Sequence, residues 1–308
     1  PTPISQGNWN HLYESGCNAA LYDFDLALHS MGVNATGTRT HLAYLRGHYL
    51  TLNTRAVAFL PNAGEGTDTD QDGVPDTIDA VDLNDDLLTP PANRPRWGAS
   101  DFNCAKNPEG CAEAHSAVQV PGPRKPLVLT TDEVYGTFTW HSFGCPWGWA
   151  RLIDISDPAA PVVVGEYKIK EDACPPKTPA DEPFTSYSSH NPTVLGPSLA
   201  LVTWHSGGLQ AIDIGAPARP EQAGWFSPTP LPAVATEDPA LSRGPNKVVM
   251  WSYPIVSDGL IYVIDIRNGL YVLRYTGPHR GTVQGTRFFE GNSNLGEIGN
   301  LTNTDNGR

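Results

Sequence analysis

The sequence predicts an all-β fold built from repeated four-stranded antiparallel sheets. Three observations predict it. One pattern of strands and turns recurs along the chain. Its strands are runs of four to six residues rich in Val, Ile and Leu, each bounded by turn residues. The composition, with 30 glycines, 29 prolines and only 17% charged residues, suits many turns and short strands rather than long helices.

The repeat is clearest where His190-Asn-Pro-Thr-Val-Leu leads into SLALVTWHSGGLQAIDIGAPARPEQAGWF. A second copy runs from His115-Ser-Ala-Val-Gln-Val through PLVLTTDEVYG and an insertion to WARLIDISDPAAPVVVGEY. A third runs from Tyr253-Pro-Ile-Val to DGLIYVIDIRNGLYVLRYTGP, and a weaker copy starts at His29-Ser-Met-Gly-Val. The copies span residues 26–60, 112–170, 187–228 and 248–277, with an insertion at 61–111, in one unit covering 1–308. Four antiparallel strands per copy make one blade of a β-propeller. A single twisted sheet cannot cover both of its faces, whereas sheets packed one behind another cover each other.

LIDISDPAAPVVVGEY and LQAIDIGAPARPEQAGWF resemble the LVIVD-repeat β-propeller proteins, a secreted bacterial group. More distantly, the His-led strands and TTDE resemble the selenium-binding-protein propellers, which include copper-dependent methanethiol oxidases. The resemblance implies a ring of about seven blades. Four copies then leave two readings, an unusually small ring or a chain that is part of a larger one, and the leftover Cys17 leans towards the second, with missing blades or another protein as partner. It also implies a secreted, extracellular or cell-surface location.

The 308 residues suffice for a sizeable core without disulfides. A formal charge of −13 and the lack of clustered Lys and Arg exclude a nucleic-acid groove. No apolar run is long enough to span a membrane. The five cysteines lack a Cys-x-x-Cys pair, which argues against a zinc ribbon. Cys104 and Cys111 suit a local disulfide, and Cys145 and Cys174 bracket one repeat in the same way; Cys17 is left over. Five reduced thiols are the alternative. No G-x-S-x-G, HExxH or P-loop motif occurs.

Residues 68–79, DTDQDGVPDTID, carry the oxygen spacing of a twelve-residue calcium loop. Asp68, Asp70, Asp72, Asp76 and Asp79 supply carboxylates, Val74 a backbone carbonyl, and Gly73 the sharp turn. The flanks are not helical, so the loop resembles a thrombospondin type 3 or dockerin-like repeat rather than an EF-hand pair. Asp79 stands where an EF-hand usually has Glu.

The histidines suggest a second metal. His29, His115 and His190 each open a copy of the repeat. His205 ends the second strand of its copy, and the end of a second antiparallel strand lies beside the start of the first. His190 and His205 are therefore expected to be neighbours. Aligning LVLTTDE with LALVTWH puts Glu133 in the place of His205, beside His115. His141, in TWHSFGC, echoes TWHSGG and is expected to fold over the same mouth. His115, Glu133, His141, His190 and His205 thus form a candidate site for copper or another transition metal. The competing reading is that these histidines bond loop carbonyls at a channel mouth. The leading functional expectation is a calcium-stabilised extracellular binding or scaffold module, and the alternative is a copper-type oxidase. No catalytic residue is assigned.

The calcium loop generates a direct test. Replacing Asp70 and Asp72 by Asn is expected to remove one calcium equivalent in isothermal titration and to leave the far-ultraviolet dichroism unchanged. Unaltered calcium uptake in that variant would show that the spacing carries no site.

Overall fold

A computed structural model describes residues 28–34, 39–44, 48–53, 114–122, 125–133, 148–156, 162–173, 187–237 and 244–291. These residues are mostly strand. The first sheet contains β1 (Leu28–Val33), β2 (Arg39–Tyr44) and β3 (His48–Asn53) in that order. The second runs β4 (Ala114–Val120), β5 (Leu127–Asp132), β6 (Ala150–Asp154) and β7 (Val162–Tyr167). The third runs β8 (Pro192–Leu195), β9 (Leu199–Thr203), β10 (Leu209–Asp213) and β11 (Glu221–Phe226). Every pairing within them is antiparallel.

The fourth sheet departs from chain order. It contains β12 (Ile255–Ser257), β13 (Leu260–Asp265) and β14 (Gly269–Leu273). Its fourth strand, β15 (Phe288–Glu290), pairs with β12 rather than with β14. The expectation of four strands in sequence order therefore fails for this copy. After β14 the chain turns through a short helix, α1 (Arg280–Gly285), whose Val283 is buried against this sheet's core. That return brings Phe289 back beside Val256. The first copy likewise shows three strands among the described residues, not four.

Alternation along the strands explains how the sheets stack. In the second sheet Val118, Leu129 and Leu152 are cross-strand neighbours on one face. They pack with Val202, Trp204 and Ile212 of the third sheet. Side chains one step along, Ala117, Val128 and Ile153, point the other way and meet Ala43 and Tyr49 of the first sheet. The third sheet repeats the device. Val202 and Ala200 face the second sheet, while Leu199 and Leu201 face Val256, Ile261 and Val263 of the fourth. Both faces of β5 and β9 are covered, which is why LVLTTD and LALVT are buried throughout. No helix among the described residues is long and apolar enough to cross a membrane.

His41 lies wholly inside the packing of the first sheet on the second. Its Nδ1 is 2.9 Å from the Tyr49 hydroxyl and its Nε2 is 3.2 Å from the Gln119 carboxamide oxygen. Burial lowers its pKa from 6.5 to about 4, against the bond to Gln119 and with the aid of Arg39. Between those two values the unfolded chain binds the extra proton, so stability falls as pH drops through that window. Urea denaturation at pH 7.5 and pH 5 is expected to show the lower stability at pH 5. His41→Gln is expected to reduce that difference, and an equal difference in both proteins would contradict the assignment.

Candidate functional site

One end of the stacked sheets gathers the histidines. His29 lies in β1 and His115 in β4; His190 precedes β8 and His205 follows β9. Glu133 follows β5 directly. Their rings form a row, with centroids 3.9 Å apart for His29 and His115, 4.2 Å for His115 and His190, and 4.7 Å for His190 and His205. Trp251 closes the row, stacked on His205 at 5.2 Å with 9° between planes and tilted over His190 at 4.3 Å.

Glu133 sits against this row. Its Oε1 is 3.1 Å from His205 Nε2 and 3.5 Å from His190 Nε2, and its Oε2 is 3.5 Å from His115 Nε2. The structure thus brings together His115, Glu133, His190 and His205, four of the five residues singled out by sequence for a transition metal. The fifth, His141, lies outside the described residues, as do Asp68, Asp70, Asp72, Val74, Asp76 and Asp79 of the acidic loop and Cys104, Cys111, Cys145 and Cys174. Sequence reasoning left His29 out of this set and did not foresee Trp251. The signal for His29 was its place at the head of a repeat, the same as that of His115 and His190.

Backbone and hydroxyl bonds fix these positions. Ser189 Oγ accepts the Asp132 N–H and donates to the Asp132 carbonyl, each at 3.0 Å, and Thr131 Oγ1 donates to the His190 carbonyl at 2.5 Å. These bonds tie the end of β5, and with it Glu133, to the segment carrying His190. On the other side the Asn191 N–H donates to Thr203 Oγ1 at 3.0 Å, and the Asn191 side-chain amide donates to the Trp251 carbonyl at 2.7 Å. His205 sits at a φ of 36°, in the left-handed region, inside the tight turn from Trp204 to Gly208. A backbone held there by a non-glycine residue costs ~1–3 kcal/mol, and such residues cluster at functional sites. Here the turn points a buried imidazole at Glu133.

The electrostatics favour neutral rings beside one carboxylate. Burial lowers the His115 pKa to about 3, against the pull of Glu133, and lowers that of His190 well below its ordinary value. Burial alone would raise the Glu133 pKa. The fields of His190 and His115 and the bond to His205 outweigh it and hold the carboxyl below the usual range. The neighbouring Asp132 is already neutralised by the buried Arg151 guanidinium. Glu133 is therefore the carboxylate that the imidazoles face.

Tautomers sharpen the picture. His190 Nδ1 is 2.8 Å from the Trp251 carbonyl, which only accepts, so this nitrogen carries the proton. In the neutral ring Nε2 is then a lone pair, and it faces Glu133 Oε1 at 3.5 Å. A lone pair opposed to a carboxylate oxygen is repulsive unless a cation lies between them. His29 has the same arrangement, with Nδ1 3.1 Å from the His115 carbonyl. His115 Nδ1 is 2.8 Å from the Ser116 hydroxyl, which in turn contacts the Tyr253 hydroxyl at 3.1 Å. Metal-binding histidines typically have their other nitrogen held by a carbonyl or carboxylate in this manner. His41 is the contrast: both of its ring nitrogens have hydrogen-bond partners, and it stands apart from this row.

In comparisons with known proteins, no family model matches the chain and no curated protein is similar enough to match.

The Thr203 hydroxyl offers a stability test. Thr203→Val keeps the shape but removes the acceptor of the buried Asn191 N–H. The expected loss is ~1–3 kcal/mol in urea denaturation, with an unchanged denaturant slope. A loss below about 0.5 kcal/mol, the lower end for a net hydrogen bond, would mean that the amide finds another partner.

Proposed function

We propose that the stacked sheets are successive blades of a β-propeller and that the histidine–glutamate row is a transition-metal centre at one end of its channel. The observation that carries the metal reading is the His190 tautomer. With its proton committed to the Trp251 carbonyl, His190 turns a lone pair towards the carboxylate of Glu133. A metal ion supplies the positive charge that this pairing calls for. The same arrangement argues against carbonyl binding as the histidines' sole task, since Nδ1 meets the carbonyl while Nε2 is directed at Glu133.

The innermost donor set is His190, His205 and Glu133, whose ligand atoms all lie within 4.8 Å of one another. These residues fit a metal: the neutral His190 imidazole and the ionised Glu133 carboxylate need not shed protons before binding it. A donor set dominated by imidazole suits copper, iron and zinc, and copper heads the order of affinities. The bound ion would supply redox chemistry. The chain's residues hold Glu133 and His190 deprotonated, fix the donors' orientation through the Trp251 carbonyl and Ser189, and restrict access, since Glu133 is only 12% exposed. A copper-type oxidase is therefore preferred here to a purely structural module. The distant likeness to selenium-binding-protein propellers points the same way, and the LVIVD-like repeats support the propeller. On this reading the 68–79 loop binds calcium and stiffens a long insertion outside the cell.

Equilibrium dialysis against Cu(II), followed by elemental analysis, tests the proposal. The parent protein is expected to retain copper. His190→Ala and Glu133→Gln are expected to lose at least tenfold in affinity while keeping the parent dichroism spectrum. Copper-loaded parent protein is expected to consume oxygen with a small alkanethiol, and both variants are expected to be inactive. A parent protein that retains neither copper, zinc nor iron would overturn the metal reading. Retained copper without oxygen uptake would leave the centre standing and remove the oxidase assignment.

A further inference from the structure

We infer that the row holds two metal ions bridged by Glu133, an inner ion on His190 and His205 and an outer ion on His29 and His115. This inference rests on the metal reading above and extends it from one ion to a pair.

The geometry divides the donors in two. Among the described residues, the ligand atoms within 4.8 Å of one another form two sets of three: Glu133, His190 and His205, and His29, His115 and Glu133. Glu133 is the member common to both. Its two oxygens are shared out accordingly, with Oε1 towards His190 and His205 and Oε2 towards His115. A carboxylate that serves one ion need not present its second oxygen to another imidazole. Paired ions typically lie about 3.5–4 Å apart, a separation that a bridging carboxylate spans.

The outer set is prepared in the same way as the inner one. His29 is exposed, yet its Nδ1 is anchored between the Ser30 hydroxyl and the His115 carbonyl, which leaves Nε2 to meet a ligand. His115 is buried, and its Nδ1 meets Ser116, itself in contact with Tyr253. The inner histidines are buried and His29 is not, so the outer ion is the one a small ligand such as dioxygen or a thiolate would reach.

The test counts ions and asks whether they are coupled. The full chain is dialysed against Cu(II) in excess calcium, which keeps the acidic loop occupied. The parent protein is expected to bind two copper ions, with an electron paramagnetic resonance spectrum showing the half-field signal of a coupled pair. His29→Ala, a change at an exposed position, is expected to bind one ion and lose the half-field signal. One ion in both the parent and His29→Ala would overturn the pair while leaving the metal reading intact. Two uncoupled ions in both would likewise overturn it, by placing the second ion elsewhere. No retained copper, zinc or iron in the parent would overturn both readings.

Discussion

A four-stranded antiparallel sheet of short, apolar strands has two faces to bury, and the one short helix among the described residues that packs on a sheet lies against the fourth. In this chain the solution is to stack sheets face to face, and the rest of the structure depends on it. Val118, Leu129 and Leu152 need Val202 and Trp204 in front of them, just as Ala117 and Val128 need Tyr49 behind. Sheets stacked this way share one strand direction from copy to copy. The same position in each copy therefore arrives at the same end of the stack. His29, His115 and His190 meet because each stands at or just before the start of its sheet's first strand, not because they are near in sequence.

That consequence could be read from the residues. Antiparallel pairing of β8 with β9 places His205 beside His190, and alignment of LVLTTDE with LALVTWH carries Glu133 to the equivalent place one sheet earlier. Both deductions need only strand direction and repeat register. The contribution of Trp251 could not be read in this way. Its carbonyl and ring reach the site from the irregular segment before β12, and the path of such a segment follows no period. The pairing of β15 with β12 escaped for a similar reason. It depends on the turn through α1, where Val283 finds a buried place, and nothing in the strand pattern of the fourth copy encodes that return. The masses of carboxylate in residues 68–79 and the cysteines lie outside the described residues, so for them the sequence spacing stands alone.

The inner and outer histidines differ in how tightly the fold commits them. His190 is fixed three times over: by its own N–H to Thr203, by Thr131 to its carbonyl, and by its ring to Trp251. His205 is fixed by a turn that holds it at positive φ and by the stacked indole. Such positions tolerate little adjustment, which suits donors that must converge within a few tenths of an ångström. His29 is held by the Ser30 hydroxyl, the His115 carbonyl and one ring contact, and faces solvent.

This gradient has a chemical consequence. A rigid, dry set of donors binds an ion tightly and keeps it, because little reorganisation is required and no water competes. A set with one exposed member leaves coordination positions open to an incoming ligand. Glu133 joins the two, with Oε1 towards His190 and His205 and Oε2 towards His115. Charge, burial and tautomer thus act on one carboxylate from both sides. A change confined to Glu133 must then disturb the whole row, whereas a change at His29 is confined to its exposed end.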